Sequence, residues 1–206
     1  YAATAGEAWA RPVLCREAIR LGRVLAGLAP DEPEVHGLVA LMELQASRLD
    51  ARAGPDGDPV LLEDQDRGRW DRLLIRRGLA SLERAEAAAG PPGPYTLQAM
   101  IAACHARAPS PEETDWVRIV ALYGALARAA PSPVVVLNQA VAVGRAIGPG
   151  PALEMVDHLR SEGELEGYHL LPAVRGDLLE MLGRRDEARA EFERAASLTR
   201  NERERE

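Results

Sequence analysis

The sequence contains no lysine: its 25 basic residues are all arginine, set against 32 acidic ones for a net charge of −7. So acidic a chain lacks the basic footprint that nonspecific nucleic-acid binding requires. Its arginine pairs, such as Arg76-Arg77 and Arg184-Arg185, are interspersed with acids in the manner of solvated helix faces. Cysteine is nearly absent. Cys15 and Cys104 stand at no motif spacing, which points to a reducing compartment rather than a disulfide framework. Aromatics make up only 4% of residues, so the core has to be built from Ala, Leu and Val. No signal peptide and no apolar run of about 18 residues occurs, and nothing argues for export or membrane insertion. The chain opens at Tyr1 rather than Met and reads as a piece of something longer.

Chemistry-bearing motifs are scarce as well. Gly148-Pro149-Gly150-Pro151 offers glycines, but its prolines remove the amide donors of a phosphate nest and no Gly-Lys-Ser/Thr follows. The four histidines, His36, His105, His158 and His169, show no i, i+4 pairing of the kind a helical zinc site uses. Cys104 and His105 are adjacent, so on a helix they point about 100° apart and cannot act as nucleophile and base. No Gly-x-Ser-x-Gly occurs among the six serines. The expectation is a chain with no catalytic residue, no metal site and no cofactor.

What the sequence does contain is helix periodicity from end to end. Ala8–Leu28 places Leu14, Ala18, Leu21, Leu25 and Leu28 on one stripe, and Glu34–Ala53 carries Val35, Leu38, Leu41, Met42 and Leu49. Asp66 reads as the N-cap of a long helix through Trp70 to Ala89. Gly90-Pro91-Pro92-Gly93-Pro94 is the sharpest punctuation and the expected subdomain boundary, followed by helices over Tyr95–Arg107 and from Trp116. Pro151 reads as the first residue of a later helix. The last third repeats itself. Ala140 and Ala152 lie twelve residues apart with Val156 and Leu159 at +4 and +7, and Gly176, Ala188, Phe192 and Ala195 repeat that spacing 36 residues later. Small residues at these points let antiparallel helices approach closely, which is the arithmetic of a tetratricopeptide (TPR) hairpin, whose usual period is ~34 residues. The fold expected is all-α, a helical array or α-solenoid. Residues 1–90 form an N-terminal helical layer, 95–200 form hairpins with TPR-like repeats at 131–165 and 168–200, and 201–206 form a charged tail.

Three polar clusters invite a binding reading beside a structural one. Gln65, Asp66, Arg67 and Trp70 combine a cap, a fork-shaped donor and an aromatic, and read first as a cap plus an Arg–acid tie locking one helix onto its neighbour. Thr114, Asp115 and Trp116 read as a second cap. Asn138 sits in a helix apolar on nearly every face and is expected to be buried, bonding backbone groups or clamping a bound peptide. Tyr168 and His169 open the second hairpin and could line the same face.

The stretches EAIRLGRVLAGLAPDEPEVHGLVALMEL, QDRGRWDRLLIRRGLASLERA, GPYTLQAMIAACHA, TDWVRIVALYGAL, PSPVVVLNQAVAV and GYHLLPAVRGDLLEMLGRRDEA together resemble the C-terminal TPR-like extension of extracytoplasmic-function (ECF) sigma factors of the sigma-70 family. Gln65, Asp66, Arg67 and Trp70 match that family's QDR-x-x-W motif, Thr114, Asp115 and Trp116 its TDW, and Asn138 the asparagine of its LNRAVA segment. Gln139 replaces the arginine usual there. The sigma-2 and sigma-4 domains are absent from this chain. The resemblance implies a regulatory protein-interaction domain of a transcription initiation factor, touching the sigma domains, RNA polymerase core or a partner protein, without itself binding nucleic acid or membrane. The alternative is a small-molecule sensor with a pocket near Trp70, Trp116 and Asn138, controlling the same factor.

Overall fold

The computed structural model describes residues 12–54 and 58–199. Among them every regular element is helical: α1 Pro12–Leu28, α2 Pro33–Ala46, α3 Arg72–Glu86, α4 Pro94–Arg107, α5 Trp116–Ala129, α6 Pro133–Ala146, α7 Pro149–Ser161, α8 Leu170–Met181 and α9 Arg185–Leu198, with short 3₁₀ turns at Leu49–Ala51, Arg67–Arg69 and Pro111–Glu113. The all-α array expected from periodicity is what forms. None of these helices is long and apolar enough to cross a membrane. The chain divides into two compact units, Tyr1–Asp115 and Trp116–Glu206.

In the first unit α2 is central, packed by α1, α3 and α4. Its sequence explains this position: Val39, Ala40 and Leu44 are buried apolar residues, and with neighbours on several sides no single stripe carries the burial. A fully buried leucine such as Leu44 or Leu82 contributes about 1.5–3 kcal/mol. At Gly37 the backbone of α4 comes close; a Cβ there would lie 2.7 Å from the Thr96 backbone nitrogen. Because α4 packs on both α2 and α3, the Gly90–Pro94 turn joins helices within one unit rather than separating two.

Three local expectations change. The Ala8–Arg11 start of the first helix lies outside the described residues, and the leucine stripe of α1 is not its packing face. Leu14, Leu21, Leu25 and Leu28 stay exposed, while Ile19 and Gly22 turn toward α2. The reason is that Gly22 allows close approach to Met42 and Val39, and Arg23 bonds Glu43 on the same side. The second helix ends at Ala46, not Ala53, giving way to the 3₁₀ turn Leu49–Ala51. The long helix expected from Asp66 begins only at Arg72. Trp70 lies in an extended residue before it, and Asp71 is its cap, accepting from Leu73 N (2.8 Å) and Leu74 N (3.0 Å).

In the second unit each helix packs on the next in chain order, α5 to α9, with α6 also touching α8. This is the stacking of helical hairpins. Ala140, Ala152, Val156 and Leu159 of the first repeat are all buried, as are Gly176 and Ala188 of the second. Phe192, at the position of Val156, rests its ring on Gly176, where a Cβ would fall 2.6 Å from the ring edge; its outer side remains 39% exposed. Pro149, not Pro151, is the first residue of α7. The charged tail 201–206 lies outside the described residues.

Gly37→Ala is expected to lower the stability of the first unit by about 1–3 kcal/mol, because the methyl meets backbone that cannot rotate away. Gly150→Ala, where nothing lies within 4 Å, should change stability by no more than about 1 kcal/mol. Thermal melts followed by circular dichroism distinguish the two.

Candidate functional site

The Gln65–Trp70 segment builds a polar knot inside the first unit. Gln65 is buried and donates through Nε2 to the Val60 carbonyl at 3.1 Å, holding the preceding loop. Asp66 caps the short 3₁₀ turn, accepting from Gly68 N at 2.8 Å. That turn aims Arg67 inward. Its Nη1 donates to the carbonyls of His105 (2.7 Å) and Ala108 (2.5 Å), at the C-terminal end of α4, and its Nη2 donates to Thr114 Oγ1 at 3.3 Å. The guanidinium carbon lies 5.0 Å from the centroid of the Trp70 ring, a residue only 3% exposed. A planar cation over an indole gains further attraction when water is excluded. The main chain closes the knot, with Asp71 N donating to Ser47 O at 2.8 Å. The tie expected here is therefore real, but its acceptors are backbone carbonyls and a hydroxyl rather than an acid.

Positive charge accumulates at this corner. Arg48 also sits over Trp70, 5.9 Å from its centroid. Gln45 Oε1 accepts from Arg48 and, at 2.7 Å, from Arg52. Burial pushes Arg48 down to about 10, reinforced by the like charges of Arg52 and Arg67. Burial likewise pushes His105 down to about 4, again reinforced by Arg48 and Arg67. Arg67 is lowered by burial and partly restored by Glu112 and Glu113. Gln65 Oε1, Arg67 Nε and Trp70 Nε1 are buried with no hydrogen-bond partner. The knot is thus electropositive. Its donors grip main chain, so its chemistry is that of a positioning element for α4.

The opposite end of α4 is held by a second charge. Glu34, on the first turn of α2, accepts from Tyr95 N (2.8 Å), Thr96 N (3.0 Å) and Thr96 Oγ1 (2.6 Å). Sequence reasoning took Glu34 only as part of its own helix. A cap supplied from 61 residues away leaves no local signal.

The remaining candidate residues lie elsewhere. Asp115 is exposed and directly precedes α5, whose first residue is the half-buried Trp116. Asn138 was expected to be buried and is exposed, because α6 turns Leu137, Ala140 and Val143 inward and position 138 falls about 100° from Leu137. Its side chain bonds no described residue. Tyr168 packs against the core of the second unit, and its ring centroid lies 5.7 Å from that of His169, the residue before α8. One charged element escaped the sequence reading altogether. Glu191 of α9 is buried between Arg175 of α8 and Arg160 of α7, both at 2.9 Å, and Arg175 also bonds Asp157 at 2.7 Å. Among the described residues no group of three His, Cys, Asp or Glu side chains could hold a metal ion.

Arg67→Ala is expected to destabilise the first unit by about 2–4 kcal/mol, since it strips two carbonyls of their donor. Arg67→Lys should recover less than half of the loss, because an ammonium cannot fork to both carbonyls while stacking on an indole. Urea titration followed by tryptophan emission measures both. His105 predicts an acid-side loss of stability. The unfolded side chain takes up its proton near pH 6.5 and the folded one only near 4. The contribution is therefore complete above about pH 6.5 and declines as pH falls toward 4, by on the order of 3 kcal/mol. His105→Gln should flatten that part of the stability–pH curve.

A family profile described as a family of unknown function, DUF6596, matches residues 1–86, a stretch ending where α3 ends. An uncharacterised protein of Rhizobium meliloti (strain 1021) is 51% identical over 201 residues, covering 98% of this chain and 47% of that protein. No solved structure matches. Residues 1–86 are thus similar to that family, and the chain spans about half the length of the curated relative it matches.

Proposed function

We propose that residues 1–206 are the regulatory protein-interaction module of an ECF sigma factor, acting in the cytoplasm. In this reading the module contacts the sigma-2 and sigma-4 domains, RNA polymerase core or a regulatory protein, and modulates transcription initiation. The observation that carries the reading is the pair of stacked hairpins α6–α7 and α8–α9 in TPR-like register, with Ala140, Ala152, Gly176 and Ala188 buried in the seams. Helical repeats of this kind build extended surfaces that recognise peptides and protein faces rather than cavities that perform chemistry. Which sigma-factor class is involved follows from the resemblance of the QDRGRW, TDW and LNQAVA segments. The exposure of Asn138 on α6 is compatible with a contact residue.

The test is direct association. The 206-residue chain should bind the isolated sigma domains or core polymerase in a calorimetric titration, and its deletion from the full-length factor should change activity at a target promoter. No measurable association, together with unchanged promoter activity, overturns the reading.

A further inference from the structure

A groove of about 360 Å³ runs along α2 in the first unit, walled by α1 and α3. His36 and Glu43 lie on its floor, Arg23 on the α1 side, and Arg77, Ser81 and Arg84 on the α3 side. Glu43 is only 1% exposed and accepts twice from Arg23 through Oε1, from Nε at 2.9 Å and Nη2 at 2.6 Å, which cancels one positive charge. His36 is held by Nε2 against the Pro30 carbonyl at 2.7 Å. Arg77 and Arg84 are different. Both are exposed, and neither forms an ion pair or side-chain hydrogen bond with any described residue. Seven residues apart on α3, they stand two helical turns, roughly 10 Å, along one face, with Ser81 between them.

The result is a groove carrying two uncompensated guanidiniums in a chain whose net charge is −7. Small side chains line much of the rest of both walls, leaving room beside the arginines. The groove is open along the helices rather than closed over, which suits a polypeptide segment better than an enclosed small molecule. Arginine clusters recognise acidic motifs through forked, charge-assisted bonds.

We propose that this groove docks an acidic segment of a partner protein, with carboxylates of the segment on Arg77 and Arg84. The inference rests on the reading of the chain as a protein-interaction module and names the chemistry of one of its partners.

The experiment uses the 206-residue chain and a short fluorescein-labelled Glu/Leu peptide, with a Lys/Leu peptide and citrate as comparisons, read by fluorescence anisotropy. The Glu/Leu peptide should bind in a salt-sensitive manner, and R77E/R84E should weaken it at least about tenfold. The Lys/Leu peptide should bind only the double variant. Because both positions are exposed, the variant keeps its fold, which circular dichroism checks. Three results overturn the proposal: no binding of the Glu/Leu peptide to the wild type, equal binding to the double variant, or displacement by citrate at the concentration at which the peptide itself binds. Retained association of R77E/R84E with the sigma domains or polymerase would sink the groove as that interface while leaving the module standing. Loss of the module reading shows instead as absent association in the wild type.

Discussion

Helix α4 is clamped at both ends by charges that come from distant parts of the chain, and the first unit depends on that clamp. Glu34 meets the amides at its N-terminus and Arg67 the carbonyls at its C-terminus. Each charge opposes the sign of the helix dipole it faces, an effect typically of 0.3–1 kcal/mol and larger when partly buried. Each also satisfies backbone groups that a helix end leaves without partners. Since α2 carries Glu34 and the segment leading into α3 carries Arg67, fixing α4 at both ends fixes the register of all three helices. Gly37 completes the arrangement by letting α2 and α4 approach within side-chain-free distance.

The second unit solves the same problem by repetition. Small residues recur at matched points of two hairpins, and the seams fill with Leu and Val. The charged element here is Glu191, held between two arginines of the preceding helices. Losing either arginine would leave the buried Glu191 carboxylate less compensated. That carboxylate ties α9, which has no later described helix packed on it, back to α7 and α8. The half-exposed ring of Phe192 marks the outer side of that last seam.

Much of this was legible in the chain. Helix type followed from apolar periodicity, and the hairpins of the last third followed from the twelve-residue spacing of small residues. The QDRGRW segment also stood out as a place where polar residues meet an aromatic. What its arginine grips was not legible, because His105, Ala108 and Thr114 lie 38 to 47 residues away. The start of α3 was misplaced for a related reason. Asp66 and Asp71 are both good caps, and only the packing of Trp70 assigns one to a 3₁₀ turn and the other to the long helix. The leucines of α1 and the asparagine of α6 failed in the same direction, each expected on a packed face and found exposed. Periodicity identifies an apolar face but not whether a neighbour covers it, and a helix rich in valine can still turn one polar residue outward.

The sequence by itself determined the class of the fold and the hairpin repeat, because both depend on local spacing along one or two helices. It also settled the absence of lysine and the acidic balance that set the character of the surface. The tertiary structure alone decided which helix is central, which acid caps α4, which carbonyls hold Arg67, and which arginines remain without a counter-charge above α2. Those outcomes depend on groups tens of residues apart meeting at a few ångströms, and no period in the chain encodes them.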